Sequence, residues 1–121
     1  MTIQDVIKEA QTNTNGATSP RFTPKDWLGW ACDSITSALR LDGSLAINSD
    51  NSLLPQFFSV DDTTTDFEIP TQFLPFHTAL AKYIEWRYHF ANPKDDESRK
   101  AGVDAYSIFL AAFGVERQQR G

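Results

Sequence analysis

Residues 66–90, DFEIPTQFLPFHTALAKYIEWRYHF, decide the fold. Pro70 and Pro75 open the stretch, and a proline fits the first turn of a helix, where its missing N–H has no partner to lose. Beyond them Phe76, Ala79, Leu80, Tyr83, Ile84, Arg87 and Phe90 recur on one helical face. The spacing predicts a helix from about Phe73 or Pro75 to Phe90. Trp86 widens that face, and so broad an apolar arc marks a central or interface helix. Both histidines of the chain, His77 and His89, lie in the same stretch. At 100° per residue they point about 120° apart, so they cannot share a metal within this helix. Glu85 and His89, four apart, do share a face and read as an ion pair on the helix surface. As a metal site they lack the third ligand that zinc requires.

Upstream, Thr2 and Asp5 have capping-box spacing, and Ile3, Val6, Ile7 and Ala10 fall on one face, so a first helix is expected from Thr2 to about Ala10. The following QTNTNGATSP is polar, carries Asn15-Gly16 and Ser19-Pro20, and reads as loop. In RFTPKDWLGW, Thr23 fits the N-cap, Pro24 the first helical position and Asp26 the third, near the positive end of the helix dipole. Phe22 and Trp27 form a hydrophobic staple across that cap. Trp27, Leu28, Ala31, Ile35, Ala38 and Leu39 continue as a buried stripe until Asp42-Gly43 ends the helix. Residues 44–70 alternate short apolar runs with Asn, Asp, Ser and Thr clusters, which predicts two or three short strands with an acidic tip at Asp61-Asp62.

Downstream, Asn92-Pro93 reads as the start of a fourth helix, with Asp95, Asp96 and Glu97 at its positive end. Ala101, Ala105, Ile108, Phe109, Ala112 and Phe113 are expected to point inward. Gly102 reads as tolerated more than as required for close approach. Gly114 fits a left-handed C′ position, with Val115 touching Leu110 in a Schellman closure. The expected fold is therefore mainly α: one domain over 1–115, about four helices with a small β-hairpin or strand excursion between helices 2 and 3, and a flexible tail over 116–121.

The 121 residues suffice for one modest core. They carry 16 acidic against 11 basic side chains, a net charge of −5, and no basic block. That balance argues against a sequence-specific nucleic-acid binder. The longest apolar run, Ile108 to Phe113, is too short to span a bilayer, so no membrane association is expected. MTIQDVIKEA lacks a basic region followed by an apolar one, which points to a cytosolic origin. One cysteine, Cys32, excludes an intrachain disulfide and a cysteine cage, and reads as a small buried apolar side chain. No GxSxG, HExxH, GxxxxGK[ST] or GxGxxG occurs. The pairs Asp61-Asp62 and Asp95-Asp96 read as a solvated turn and a dipole complement. The expectation is no catalysis and no cofactor. Three Trp, three Tyr and nine Phe are generous for this length. Taken as more than a small core can bury, they lead to an expectation of self-association.

With these elements in place the chain resembles the head–tail connector adaptors of tailed bacteriophages. Pro75, His77, Ala79, Leu80, Tyr83 and Arg87 carry the likeness, RFTPKDWLGWACDSI at 21–35 adds to it, and it extends loosely over most of the chain. It implies a structural virion protein of the neck, assembled in the host cytoplasm. Subunits of this kind form a ring, usually of twelve, docked beneath the portal protein and joined to the next connector or tail protein, with DNA free to pass through. By position, Glu116, Arg117, Gln118, Gln119 and Arg120 would be the portal-contacting tail. The loop from Ser59 to Thr65 would face a neighbouring subunit or the next ring. A head-to-tail ring needs two different patches on each subunit. The candidates are Phe58, Val60 and Phe67 on the β arm, and Tyr83, Trp86, Arg87 and Phe90 on the third helix. A stopper or tail-completion protein, richer in strand, and a cytosolic interaction module unconnected with phage remain as alternatives.

Overall fold

The computed structural model describes residues 1–14, 22–41, 69, 71–91 and 96–115. They form helix α1 (Ile3–Thr14), α2 (Pro24–Leu41), a 3-10 turn (Thr71–Phe76) running into α3 (His77–Ala91), and α4 (Asp96–Leu110) with a π-helical turn (Ala111–Val115) at its end. The helical class is as expected. No strand forms among the described residues, and the segment 44–70, where the β-hairpin was expected, lies outside them except for Ile69. Its N–H donates to the carbonyl of Met1 at 3.1 Å, which ties the entry to α3 to the start of α1.

Both predicted N-terminal caps form. The backbone N–H of Thr2 donates to Asp5 Oδ2 at 2.8 Å. Thr23 repeats the arrangement with Asp26, and the Asp26 N–H donates back to Thr23 Oγ1 at 3.3 Å, closing the box reciprocally. The bond from the Thr2 backbone, more than any other interaction, holds the Asp5 carboxyl below its ordinary range. Phe22 meets Trp27 edge-on at 6.5 Å, so the staple forms as well.

α1 runs one turn further than its apolar pattern. Thr14 Oγ1 donates back to the Ala10 carbonyl at 2.8 Å, and Asn13 finds a partner on α3, so tertiary contact extends a segment whose polar composition reads as loop. Pro75 lies inside the 3-10 turn, and α3 itself begins at His77. The described part of α4 starts at Asp96, with Asp96 and Glu97 in its first turn; Asn92 to Asp95 lie outside the described residues. Its inward face is Gly102, Ala105, Phe109 and Phe113, whereas Ala101 and Ile108 point out, Ile108 being 48% exposed. The expected face was too wide because α4 packs against α3 along a single seam. The chain does not close at Gly114 either, since helical winding continues through Val115 in the π turn.

Side-chain pairings fix the directions of the helices. Asp33 meets Arg87 and Ser37 meets Tyr83, so α2 and α3 are antiparallel. Phe90 lies against Gly102, Trp86 against Tyr106 and Tyr83 against Phe109, so α3 and α4 are antiparallel too. Glu9 lies near His77 and Asn13 near Glu85, so α1 runs parallel to α3. The chain therefore goes up, down, up, down. α3 packs against the other three helices. It buries Ala79, Leu80, Ala81, Tyr83, Ile84 and Glu85, a set that covers more than one side of the helix.

Gly102 is required rather than tolerated. A β-carbon there would stand 3.0 Å from His89 Cβ and 2.9 Å from the Phe90 ring. Alanine returns about 1 kcal/mol of helix propensity. Overpacking against a β-carbon that cannot swing away costs about 2 kcal/mol. Gly102→Ala should thus lower stability by about 1 kcal/mol in denaturant unfolding. In a Phe90→Ala background most of that loss should remain, because the His89 β-carbon stays in place and only the contacts with the more pliant ring are gone.

Candidate functional site

Among the described residues, most of the aromatic and polar side-chain contacts between helices are arranged around α3. On the side facing α2, Trp27 stacks on Tyr88 with ring centroids 5.4 Å apart, and Phe22 and Trp30 close on the pair edge-on. On the side facing α4, Trp86 stacks on Tyr106 at 4.2 Å, and Tyr83, Phe109 and Phe113 continue the contact inward to Phe73 and Phe76. Two aromatic clusters thus flank one helix. Among the described residues every aromatic side chain except Phe90 is buried or half-buried. The aromatic side chains of the described residues, Phe90 apart, are thus taken up by packing within the chain.

The residues expected at a subunit interface part company here. Tyr83 is only 6% exposed and belongs to the subunit's own core. Trp86 is half-buried, its face covered by Tyr106. Phe90 is 46% exposed, at the end of the helix where Val103 of α4 is exposed as well. Arg87 is held within the chain. Its Nη1 donates to Asp33 Oδ2 at 2.8 Å and to the Tyr83 hydroxyl at 3.1 Å. Burial works against the charge on Arg87, but these two bonds outweigh it and raise the guanidinium pKa. Phe58, Val60 and Phe67, the loop Ser59 to Thr65, and the tail residues Glu116, Arg117, Gln118, Gln119 and Arg120 lie outside the described residues.

Two polar contacts join α1 to α3. Glu85, buried, accepts from Asn13 Nδ2 at 3.1 Å and from Lys82 Nζ at 3.3 Å. The ion pair expected between Glu85 and His89 gives way to these, because the Glu85 carboxylate faces α1 and not the outer surface. His77 Nδ1 lies 3.7 Å from Glu9 Oε2, a buried oxygen with no hydrogen bond. Burial lowers the pKa of His89 below its ordinary 6.5, with the negative charge of Glu85 opposing the shift. Between those two values the unfolded chain binds more protons than the folded one, so stability is present above about pH 6.5 and falls as the pH drops through it. Melting curves should therefore show Tm lower at about pH 5.5 than at about pH 7.5, and His89→Gln should reduce that difference.

Cys32 is 1% exposed, and burial pushes its thiol up to about 11, the value of an inert core residue. No group of three or more His, Cys, Asp or Glu side chains that could hold a metal ion exists among the described residues. No helix among them is long and apolar enough to cross a membrane. An open hollow of about 280 Å³ lies where α2 meets α3, lined by Lys25, Asp26, Gly29, Trp30, Asp33 and Arg87. No protein-family model, curated protein or solved structure matches this chain.

Sequence reasoning missed Asp33, Asn13 and the role of Gly102. Asp33 and Asn13 are polar residues on exposed helical faces, and their partners lie 54 and 72 positions away. No local signal announces such a pairing. Gly102 did carry one, a glycine in the interior of an otherwise regular helix, which reads equally as tolerated or as a point of close approach.

Proposed function

We propose that this chain is a structural head-to-tail adaptor of a tailed bacteriophage, a subunit of a ring that docks under the portal and joins it to the next neck or tail protein. The observation that carries the reading is the segment from Pro75 to Phe90, whose residues Pro75, His77, Ala79, Leu80, Tyr83 and Arg87 resemble those adaptors. The same segment forms the helix against which the rest of the described subunit packs. A subunit built from helices also supports an adaptor over the strand-rich stopper and tail-completion proteins.

In this reading Phe90 and its neighbourhood form one contact between subunits, and residues 116–121 reach the portal. The chain acts by adhesion, with no covalent step. The test mixes the purified chain with portal rings and images the product by electron microscopy. A symmetric ring of this chain beneath the portal is expected, and deletion of 116–121 should abolish it. Failure to bind any portal ring, or a deletion without effect on head–tail joining, would sink the proposal. Phe90→Glu is expected to abolish ring formation while the free subunit stays folded, since the side chain is 46% exposed in the subunit. Circular dichroism and portal co-sedimentation on the same sample check both halves of that statement. Tyr83 gives no such separation, because replacing it disturbs the core first.

A further inference from the structure

Gly29 lies inside α2 and Gly102 inside α4, and they differ in one respect. The missing β-carbon of Gly102 is used by the chain itself, where His89 and Phe90 fill the space. A β-carbon at Gly29 would meet nothing within 4 Å. Glycine in a helix interior is less stable than alanine, so Gly29 carries a cost that no contact among the described residues offsets. It does leave the α2 backbone bare in the hollow between α2 and α3, open to close approach by another helix.

Charges on the same stripe of α2 identify that helix. Lys25, Gly29 and Asp33 are spaced i, i+4 and i+8, and all three line the hollow. Where two antiparallel helices cross, the residue four before the crossing point on one faces the residue four after it on the other. A copy of α2 crossing at Gly29 therefore sets Lys25 against the other copy's Asp33, and repeats the pairing by symmetry. We propose that this hollow is the seat of a two-fold contact between two copies of the chain, α2 against α2, with Gly29 at the crossing. A two-fold contact requires a patch complementary to itself, and the order cation, glycine, anion is such a patch. The remaining lining groups do not oppose it. Asp26 is committed to the cap at Thr23, and Arg87 occupies only Oδ2 of Asp33, whose side chain stays 51% exposed. Trp30 supplies an apolar wall beside the crossing. The contact is separate from the adaptor reading: a head-to-tail ring joins two different patches, whereas here one patch is used twice.

Analytical ultracentrifugation of the purified chain, with no portal present, tests it. A reversible dimer is expected. Gly29→Ala should raise the Tm of the subunit by about 4 °C, as expected for a relieved helix glycine, and weaken the dimer about tenfold. Lys25→Asp replaces two attractions by two repulsions and should also weaken it about tenfold. Asp33→Lys should do the same, and an equimolar mixture of Lys25→Asp and Asp33→Lys should form a heterodimer, since both cross-pairs are again opposite in charge. Circular dichroism confirms that each variant is folded, and if Asp33→Lys is not, Gly29→Ala and Lys25→Asp decide alone. A chain that stays monomeric up to about 1 mM, or a dimer indifferent to Gly29→Ala and Lys25→Asp, overturns the proposal. Folded single variants whose mixture remains monomeric overturn the antiparallel register.

Discussion

Phe109→Ala is expected to lower the unfolding free energy by about 4 kcal/mol, the usual loss for a fully buried phenylalanine. The side chain has no exposed surface and touches Tyr83 and Phe113 at centroid distances of 5.0 and 5.1 Å. Its ring lies between Tyr83 of α3 and Tyr106 and Phe113 on the opposite side of the seam, so its neighbours are fixed on both sides and cannot collapse into the void. For a chain of this size the corresponding fall in Tm is about 15 °C, read from a thermal melt. Phe109→Leu keeps most of the volume and should lose about 1.5 kcal/mol. If the two variants lost equal amounts, ring contacts and not filled space would hold the seam.

Trp27→Ala is expected to cost a similar amount, about 4 kcal/mol, on the opposite side of α3. Trp27 is 3% exposed, stacks on Tyr88 and is met edge-on by Phe22 and Trp30. Its loss removes the stacked face and also the inner half of the staple that fixes the entry to α2. The Trp27 and Phe109 clusters share no aromatic partner, so the two losses should add within a few tenths of a kcal/mol. Their sum, about 8 kcal/mol, lies within the whole stability range of a domain this size. The double variant should be largely unfolded at 25 °C in a denaturant titration. A double variant that kept most of its stability would mean that the two sides of α3 fail together.

The four helices could be read from the chain because their signals are local. Thr23, Pro24 and Asp26 write the start of α2 within four residues, and the stripe from Trp27 to Leu39 follows at helical spacing. Thr2 and Asp5 do the same for α1. The width of the apolar arc on α3 also announced a helix with neighbours on several sides. What stayed hidden depends on contacts distant in sequence. The last turn of α1 is polar and is held by Asn13 reaching Glu85. The inward face of α4 is narrower than its apolar residues allow, since Ala101 and Ile108 are apolar and yet outside. The candidate surface was harder still to read. Tyr83, Trp86, Arg87 and Phe90 sit within eight residues on one helix, and the fold assigns the first to the core, the second to a stack, the third to an ion pair and only the last to solvent.

The parallel run of α1 beside α3 bears on how the chain is made. α1 leaves the ribosome before α3, but the backbone bond from Met1 reaches Ile69 and the contact from Asn13 reaches Glu85. Until α3 has emerged, Ile3, Val6 and Ile7 have, among the described elements, α2 alone to cover them. The earliest of the four helices is therefore among the last to be secured, and a nascent chain arrested before α3 would present the apolar face of α1 to whatever lies nearby.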